Sequence, residues 1–356
     1  MQVVASAKAR TLRTISSSTV EIQYKEGEKW KAWPHQSYDE KTGLFLLTGM
    51  GDGATEESGV EYTLRAAYKR NGEPSAYSED LQILTEAKAQ VGNRGFEEWS
   101  SSTIPAYGST GGWIDIKYPG RKDIKVFYPY ANKENQWWDT RNTYTTQSLA
   151  DASWMYAMFP GTVPVSESAT WGASQHLNEH DGQSLSTSPH GGSSNAAEIS
   201  TIGWGRNNWT DLGHDTQYRT AGCLFIGTYD LSKQTENLGH VFTSRPGCVD
   251  FYYRFYSYNG ESAKAYAILY DKENKSIGEG TILIEKSTNE YELGEIPINY
   301  TENKKASYIT IVFLSSSSDN PATKDVQGSD GAFDGYGDSR HIGSILTVDD
   351  VELIYE

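Results

Sequence analysis

Hydrophobic and polar positions alternate most regularly toward the C-terminal end of the chain. Across residues 343–355, Ile345, Val351, Leu353 and Tyr355 share one parity, and Leu346, Val348 and Ile354 the other. Neither face is polar, which predicts a strand deep inside a β-sheet. Asp349 and Asp350 sit in its middle, and an acid buried there needs a partner or a cation. Residues 223–229, 249–256, 263–270, 280–285, 291–296 and 308–314 are further strand candidates at hairpin spacing, the pattern of two antiparallel sheets. Within the second of these, Asp250, Tyr252, Arg254 and Tyr256 alternate with Phe251, Tyr253 and Phe255. That predicts one face toward the core and one toward solvent or a groove. In the N-terminal part, residues 3–10, 20–24, 44–48, 62–68 and 81–84 are short strand-like runs separated by Gly, Asp, Asn and Pro turns, the rhythm of a small β-sandwich. The predicted organisation is all-β: a small sandwich over 1–87, a linker over 88–92, and a large sandwich with long loops over 93–356.

Composition agrees with that reading. The 356 residues include 24 Tyr, 10 Trp and 34 Gly but only 4 Met, a profile of strand formers and turns. The formal net charge of −16 would repel a phosphate backbone, so nucleic acid is not an expected partner. No apolar run is long enough to span a bilayer as a helix. Met1 leads directly into strand-like sequence with no signal peptide, so the expectation is a cytoplasmic protein or a trimmed export product. Cys223 and Cys248 are too few for a disulfide framework. They are equidistant from the polar stretch 233–237, so a simple hairpin there would set them opposite each other. Two buried thiols and one cross-strand bridge both stay open.

Candidate chemistry concentrates between residues 100 and 215. That stretch holds Trp113, Trp137, Trp138, Trp154, Trp171, Trp204 and Trp209 among Gly, Ser, Asn and His. Large amphipathic rings in polar loops can stack on a flat apolar partner such as the face of a sugar, and they can equally pin the loops to the sandwich. The sharpest ligand-binding candidates are Trp137, Trp138, Asp139 and Arg141 in 136–142, and Trp204, Arg206, Asn207 and Trp209 in 203–209. There, indoles accompany side chains able to bond vicinal hydroxyls. His176 and His180 share helical spacing but lack the H-E-x-x-H order of a zinc site. The run 190–195 has no G-x-S-x-G elbow to make it an oxyanion loop, and reads as a turn before a strand at 196–200. The acidic, glycine-rich insert 315–338 does not match a calcium-loop signature and reads as a solvated loop.

Three sets of motifs carry resemblances. Tyr62-Thr63-Leu64-Arg65-Ala66-Ala67-Tyr68, Asn71-Gly72-Glu73-Pro74 and Leu81-Gln82-Ile83-Leu84-Thr85 are similar to the final two strands of a fibronectin type III domain, an immunoglobulin-like fold. That likeness implies that Tyr62 makes the corner hydrogen bond pinning the loop before its strand, and that Trp30 or Trp33 supplies the core indole. Asn93-Arg94-Gly95-Phe96-Glu97 paired with Val348-Asp349-Asp350-Val351 resembles the calcium-stapled jelly rolls of carbohydrate-binding modules. The pairing implies that first and last strands lie together and that Glu97, Asp349 and Asp350 share a structural Ca²⁺. Finally, the segments 222–227, 239–246 and 251–255, closed by 343–353, resemble the carbohydrate-metabolism family of surface lipoproteins of glycan-utilising Gram-negative bacteria, over 93–356.

This last resemblance implies a jelly roll preceded by an immunoglobulin-like domain, located at the cell surface, outer membrane or periplasm. Membrane contact would come only through a lipid anchor outside this sequence, and proteins of a glycan-uptake system would be partners. It implies no particular reaction. The favoured function is non-catalytic binding of a polysaccharide or oligosaccharide. A glycoside hydrolase or lyase is the alternative; hydrolysis would need a carboxylate pair about 5–5.5 Å or about 6.5–9.5 Å apart, and no motif marks one. An adhesion or assembly protein is the third reading.

Overall fold

The computed structural model describes residues 5–6, 19–39, 41–104, 123–147, 156–207, 216–326 and 340–355. These are almost entirely strand and loop, so the protein is all-β. They divide into two compact units, one of Met1–Ala89 with Thr243–Arg245 and one of Gln90–Phe242 with Pro246–Glu356.

The smaller unit is a two-sheet sandwich. One sheet runs Lys29–Ala32, Val20–Glu26, Glu61–Arg70, Glu73–Pro74, with Leu81–Leu84 also on Glu61–Arg70; the other runs Ala5–Ser6, Leu44–Leu47, Gln36–Asp39. Alternation decides which side chains go inward: Val20, Ile22, Phe45, Leu47 and Leu64 meet in the core with Trp33 and Met50. Trp33 is the core indole. Tyr24 and Tyr62 meet it edge-on at 5.2 and 5.3 Å, and its N–H donates to the Thr48 carbonyl at 3.0 Å. The Tyr62 hydroxyl accepts from the Gly51 amide at 3.3 Å, tying down the chain before its own strand. Trp30 stands outside the core, with the Arg65 guanidinium 4.0 Å from its ring centre and 3.9 Å from that of Tyr77.

The larger unit packs two antiparallel sheets face to face. The first runs Trp138–Thr140, Cys223–Asp230, Tyr308–Leu314, Ala263–Tyr270, Ser276–Ile284, Asn299–Tyr300; the second runs Tyr156–Ala157, Ala197–Asn207, Arg340–Ile354, Cys248–Tyr256, Thr288–Pro297. Phe251 of the second sheet meets Phe313 of the first at 4.9 Å, and Phe313 lies 6.1 Å from Trp138. Arg340–Ile354 is a central strand, buried on both faces nearly throughout. The reason lies in what covers its outer side. The helix Ala173–His180 sends Ala173 and Leu177 against Ile342 and Ile345.

The loop after that helix is laced to Thr288–Pro297 through Ser186 N to Asn289 Oδ1 (2.7 Å), Asn289 Nδ2 to Ser184 O (3.0 Å) and Tyr291 Oη to Ser188 O (3.2 Å). The part of that face bearing Tyr252 and Arg254 is therefore covered by this loop. Arg254 is buried against Tyr291, and Tyr252 lies 3.7 Å from the His190 ring.

Cys223 and Cys248 are both free thiols. The hairpin after Cys223–Asp230 does turn near 231–234, pairing Asp230 with Thr235, but Cys248 then pairs with Pro297 and Ile354 in the opposite sheet.

Candidate functional site

A cleft of about 490 Å³ opens on the larger unit, lined by Ser100, Ser101, Tyr128, Tyr130, Asn132, Lys133, Gln136, Asp139, Thr143, Thr228 and Tyr229. Its volume lies in the usual range for small-molecule sites. One wall is the antiparallel pair Ser100–Ile104 and Ile124–Tyr128, in which Ser100 faces Tyr128. The apolar residues Ile124 and Phe127 anchor that pair to Met158, Phe159, Val163, Trp171, Ile202 and Trp204. Tyr128 and Tyr130 end the wall with rings 5.6 Å apart and 30° from parallel. Asn132 then caps a short turn of helix, its side-chain oxygen accepting from the amides of Glu134 (3.1 Å) and Asn135 (3.2 Å).

The floor is Trp138–Thr140 against Cys223–Asp230, with Asp139 opposite Phe225. Strand alternation sends Trp138 and Thr140 into the core and turns Asp139 toward the cleft. Its Oδ2 accepts from the Tyr229 amide at 2.8 Å and from Gln136 Nε2 at 3.0 Å, and its Oδ1 from the Thr140 amide at 2.8 Å. Burial raises the Asp139 pKa, against the pull of these donors and of Lys133. Burial likewise pushes the Tyr130 phenol up to about 12 and the Tyr229 phenol upward, so both stay protonated at neutral pH and can donate as well as accept. Among the described residues, Lys133 and Asp139 are the charged members of the lining, one of each sign.

The sequence-predicted residues fall differently. Asp139 lines the cleft. Trp138 is 0 % exposed and Trp204 1 % exposed, so neither can be a stacking platform. Each is instead a packing indole whose N–H is satisfied internally, Trp138 by the Gly92 carbonyl (2.8 Å) and Trp204 by the Thr220 hydroxyl (2.8 Å). Trp137 is half-buried, with the His240 ring 3.8 Å away and nearly parallel, and a Cβ on Gly92 would come within 2.4 Å of its Cδ1. Its face is already used. Arg141 gives its Nε to Glu236 Oε1 at 2.5 Å and Nη1 to the Ala221 carbonyl at 3.3 Å. Asn142 is buried, bridging Phe127, Thr162 and the Thr162 amide. The side chains of Arg206 and Asn207, all of Trp113, Trp154 and Trp209, and residues 327–339 of the acidic insert lie outside the described residues.

Sequence reasoning missed Tyr128, Tyr130, Tyr229, Asn132, Lys133 and Gln136 as lining. The nearest signal was the spacing of Tyr128 and Tyr130, which puts two rings on one side of an extended chain. Among 24 tyrosines, that spacing does not stand out.

Glu97, Asp349 and Asp350 come together around a second feature. The segment after Gln90 runs beside the last strand: Gln90 exchanges two 2.8 Å bonds with the Leu353 backbone, and Val351 N donates to the Arg94 carbonyl at 2.8 Å. A bulge lets adjacent aspartates serve one neighbour. Asp250 faces Glu352 but Tyr252 faces Asp349, so the last strand carries an extra residue, and Asp350 takes φ 47°.

Asp349 Oδ2 then accepts from the His190 amide (2.9 Å), while Asp350 Oδ2 meets His190 Nδ1 (2.8 Å). Glu97 Oε1 accepts from the amides of Ser194 (2.9 Å) and Asn195 (3.4 Å). Burial, aided by the charges of Asp350 and Glu97, pushes the Asp349 carboxyl up to about 7. All-oxygen donors would suit calcium. Yet these oxygens are met by amides and an imidazole, and among the described residues no group of three or more His, Cys, Asp or Glu is arranged to hold a metal ion. As placed, they do not make a calcium site. His176 and His180 stand 4.5 Å apart on the Ala173–His180 helix, with His176 Nε2 against the Val326 carbonyl at 3.2 Å, a packing arrangement.

No protein-family model matches the chain, and no curated protein matches it. Among solved structures it is similar to a candidate glycoside hydrolase from Bacteroides vulgatus (18 % identity, TM-score 0.42, covering 74 % of this chain and 97 % of that one). A second candidate glycoside hydrolase, from Bacteroides thetaiotaomicron, shows 15 % identity and a TM-score of 0.38, covering 92 % of this chain and 85 % of that one. The carbohydrate-binding module TmCBM61 in complex with β-1,4-galactotriose shows 10 % identity and a TM-score of 0.26, over 74 % of this chain and 97 % of that one. At these values the functional reading rests on the residues of this chain.

Proposed function

We propose that this protein binds an uncharged oligosaccharide or polysaccharide in the cleft between the Ser100–Ile104 wall and the Trp138–Thr140 floor. The supporting observation is the convergence, in one pocket, of tyrosine rings with an acceptor carboxylate, amides, hydroxyls and an ammonium whose charges cancel. Rings offer apolar faces to sugar C–H surfaces, and Asp139, Gln136, Asn132 and Lys133 offer acceptors and donors to hydroxyls. The family resemblance read from the sequence supports a place at the cell surface or in the periplasm, with the smaller unit as an immunoglobulin-like spacer.

The test is calorimetric titration with a panel of neutral plant and bacterial glycans. At least one should bind, and Asp139→Asn and Tyr128→Ala should each weaken it about tenfold or more, with thermal midpoints confirming that both variants fold. Binding that survives both substitutions would move the site elsewhere.

A second reading has its own support: burial raises the Asp139 pKa, as a proton-donating acid of a glycoside hydrolase requires. Against it, Asp139 is the one carboxylate of the lining among the described residues, where hydrolysis uses two. Release of reducing ends by wild-type protein, abolished in Asp139→Asn, would establish hydrolysis in place of simple binding.

A further inference from the structure

Tyr229 does not end the aromatic surface of the cleft. The Tyr144 ring lies 6.2 Å from it, beside the cleft residue Thr143, on the short helical turn Asn142–Thr145. Tyr144 in turn meets the buried Trp204 edge-on at 4.7 Å, and Trp204 carries Tyr218 on its other contact, also at 4.7 Å and tilted 32°. One indole therefore packs against both tyrosines.

The local sequence is built for this arrangement. Asn142 fixes the turn that holds Tyr144, with its amide nitrogen on the Phe127 and Thr162 carbonyls at 2.8 and 2.6 Å. Gly205, at φ +92°, lacks the Cβ that would come within 2.8 Å of Tyr218 Cδ2, so the phenol ring can lie down on the strand backbone. Tyr218 is still 37 % exposed, and Gln217 donates to its hydroxyl at 3.0 Å. An exposed ring clamped from beneath by a buried indole and a glycine has lost its rotamer freedom already, which lowers the cost of stacking a ligand on it.

Resting on the cleft reading above, we propose that the ligand is an extended glycan chain, held along a track that runs from Tyr128 over Tyr229 and Tyr144 to Tyr218, and not a single terminal sugar. Tyr144 and Tyr218 do not line the cleft, so a ligand confined to it would leave both unused. The distal subsite carries a ring and no charged partner of its own among these contacts, so it takes a sugar face with little discrimination between epimers.

Calorimetric titration with cello-, xylo- and β-1,4-galacto-oligosaccharide ladders, from disaccharide to hexasaccharide, tests this. For the ladder that binds, wild-type affinity should climb with length. Tyr218→Ala should flatten that climb, costing about tenfold at the hexasaccharide, while Tyr218→Phe restores it because the ring and not the hydroxyl does the stacking. Equal affinity at every length, or a length dependence that Tyr218→Ala leaves intact, would overturn the track while leaving the cleft reading in place. No binding of any ladder by a wild-type protein that binds another glycan of the wider panel would overturn the track alone, and no binding of any glycan of that panel would overturn both.

Discussion

Asp349 shows how a single buried group can govern the response to pH. Its folded pKa, pushed to about 7, lies above the ordinary carboxylate value, so between about pH 4 and 7 the folded protein holds a proton that the unfolded chain has released. Stability should therefore fall as pH rises through that window and level off above it, the reverse of the usual carboxylate. Denaturant midpoints from pH 4.5 to 8 read this directly, and Asp349→Asn should remove that part of the slope. The Asn variant should also lose about 1 kcal/mol at low pH, because only one of its two side-chain atoms can accept from the His190 and Asp350 amides. A slope shared by both proteins would assign the effect to another group. At the same scale, Gly59 has no room for a methyl group: a Cβ there would stand 1.7 Å from the Thr85 carbonyl oxygen. Gly59→Ala should cost several kcal/mol by displacing backbone, seen as a thermal midpoint lowered by many degrees.

Among the elements, those with strict alternation were legible. Ala263–Tyr270 matches its sequence pattern to the residue, because one face of it is buried and the other half-exposed, and Tyr308–Leu314 matches as a continuous apolar run buried on both faces. The last strand was readable as buried on both faces, but not what buries its outer side. That cover is a helix and a loop whose polar, glycine-containing sequence hides the one apolar stripe, Ala173 and Leu177, that docks. Leu177 is fully buried, so Leu177→Ala should cost about 2–5 kcal/mol. Its effect should appear first as faster hydrogen exchange in 173–195, because the loop hangs on that contact.

Three of the indoles are packing residues for a related reason. A polar loop folded over a sandwich must find an apolar anchor, and Trp138, Trp171 and Trp204 are those anchors. The rings that line the cleft are tyrosines, whose hydroxyls tolerate water. Nor could sequence show the bulge at Asp350, since an extra residue in one strand exists only relative to its partner.

At the scale of the whole molecule, charge separates the candidate ligands. A chain carrying −16 repels polyanions over about a Debye length, roughly 10 Å at 0.1 M salt, and would attract polycations without any specific site. The cleft is locally different: its described lining carries one Lys and one Asp, and a neutral glycan entering it has no charge on which the field of the chain can act and displaces no counterions of its own. Affinity for a neutral oligosaccharide should therefore change by less than about twofold between 50 mM and 500 mM NaCl. Acidic glycans such as polygalacturonate should bind more weakly and improve as salt rises, because screening removes the global repulsion. Basic glycans such as chitosan should do the opposite, binding at low salt and releasing at high salt, and Asp139→Asn should barely alter them because their attraction comes from the whole surface. Parallel titrations of the three classes at the two salt concentrations distinguish a site that recognises hydroxyls and ring faces from a surface that only gathers charge. A steep salt dependence for the neutral ligand would mean that the tyrosine-lined cleft is not where it binds.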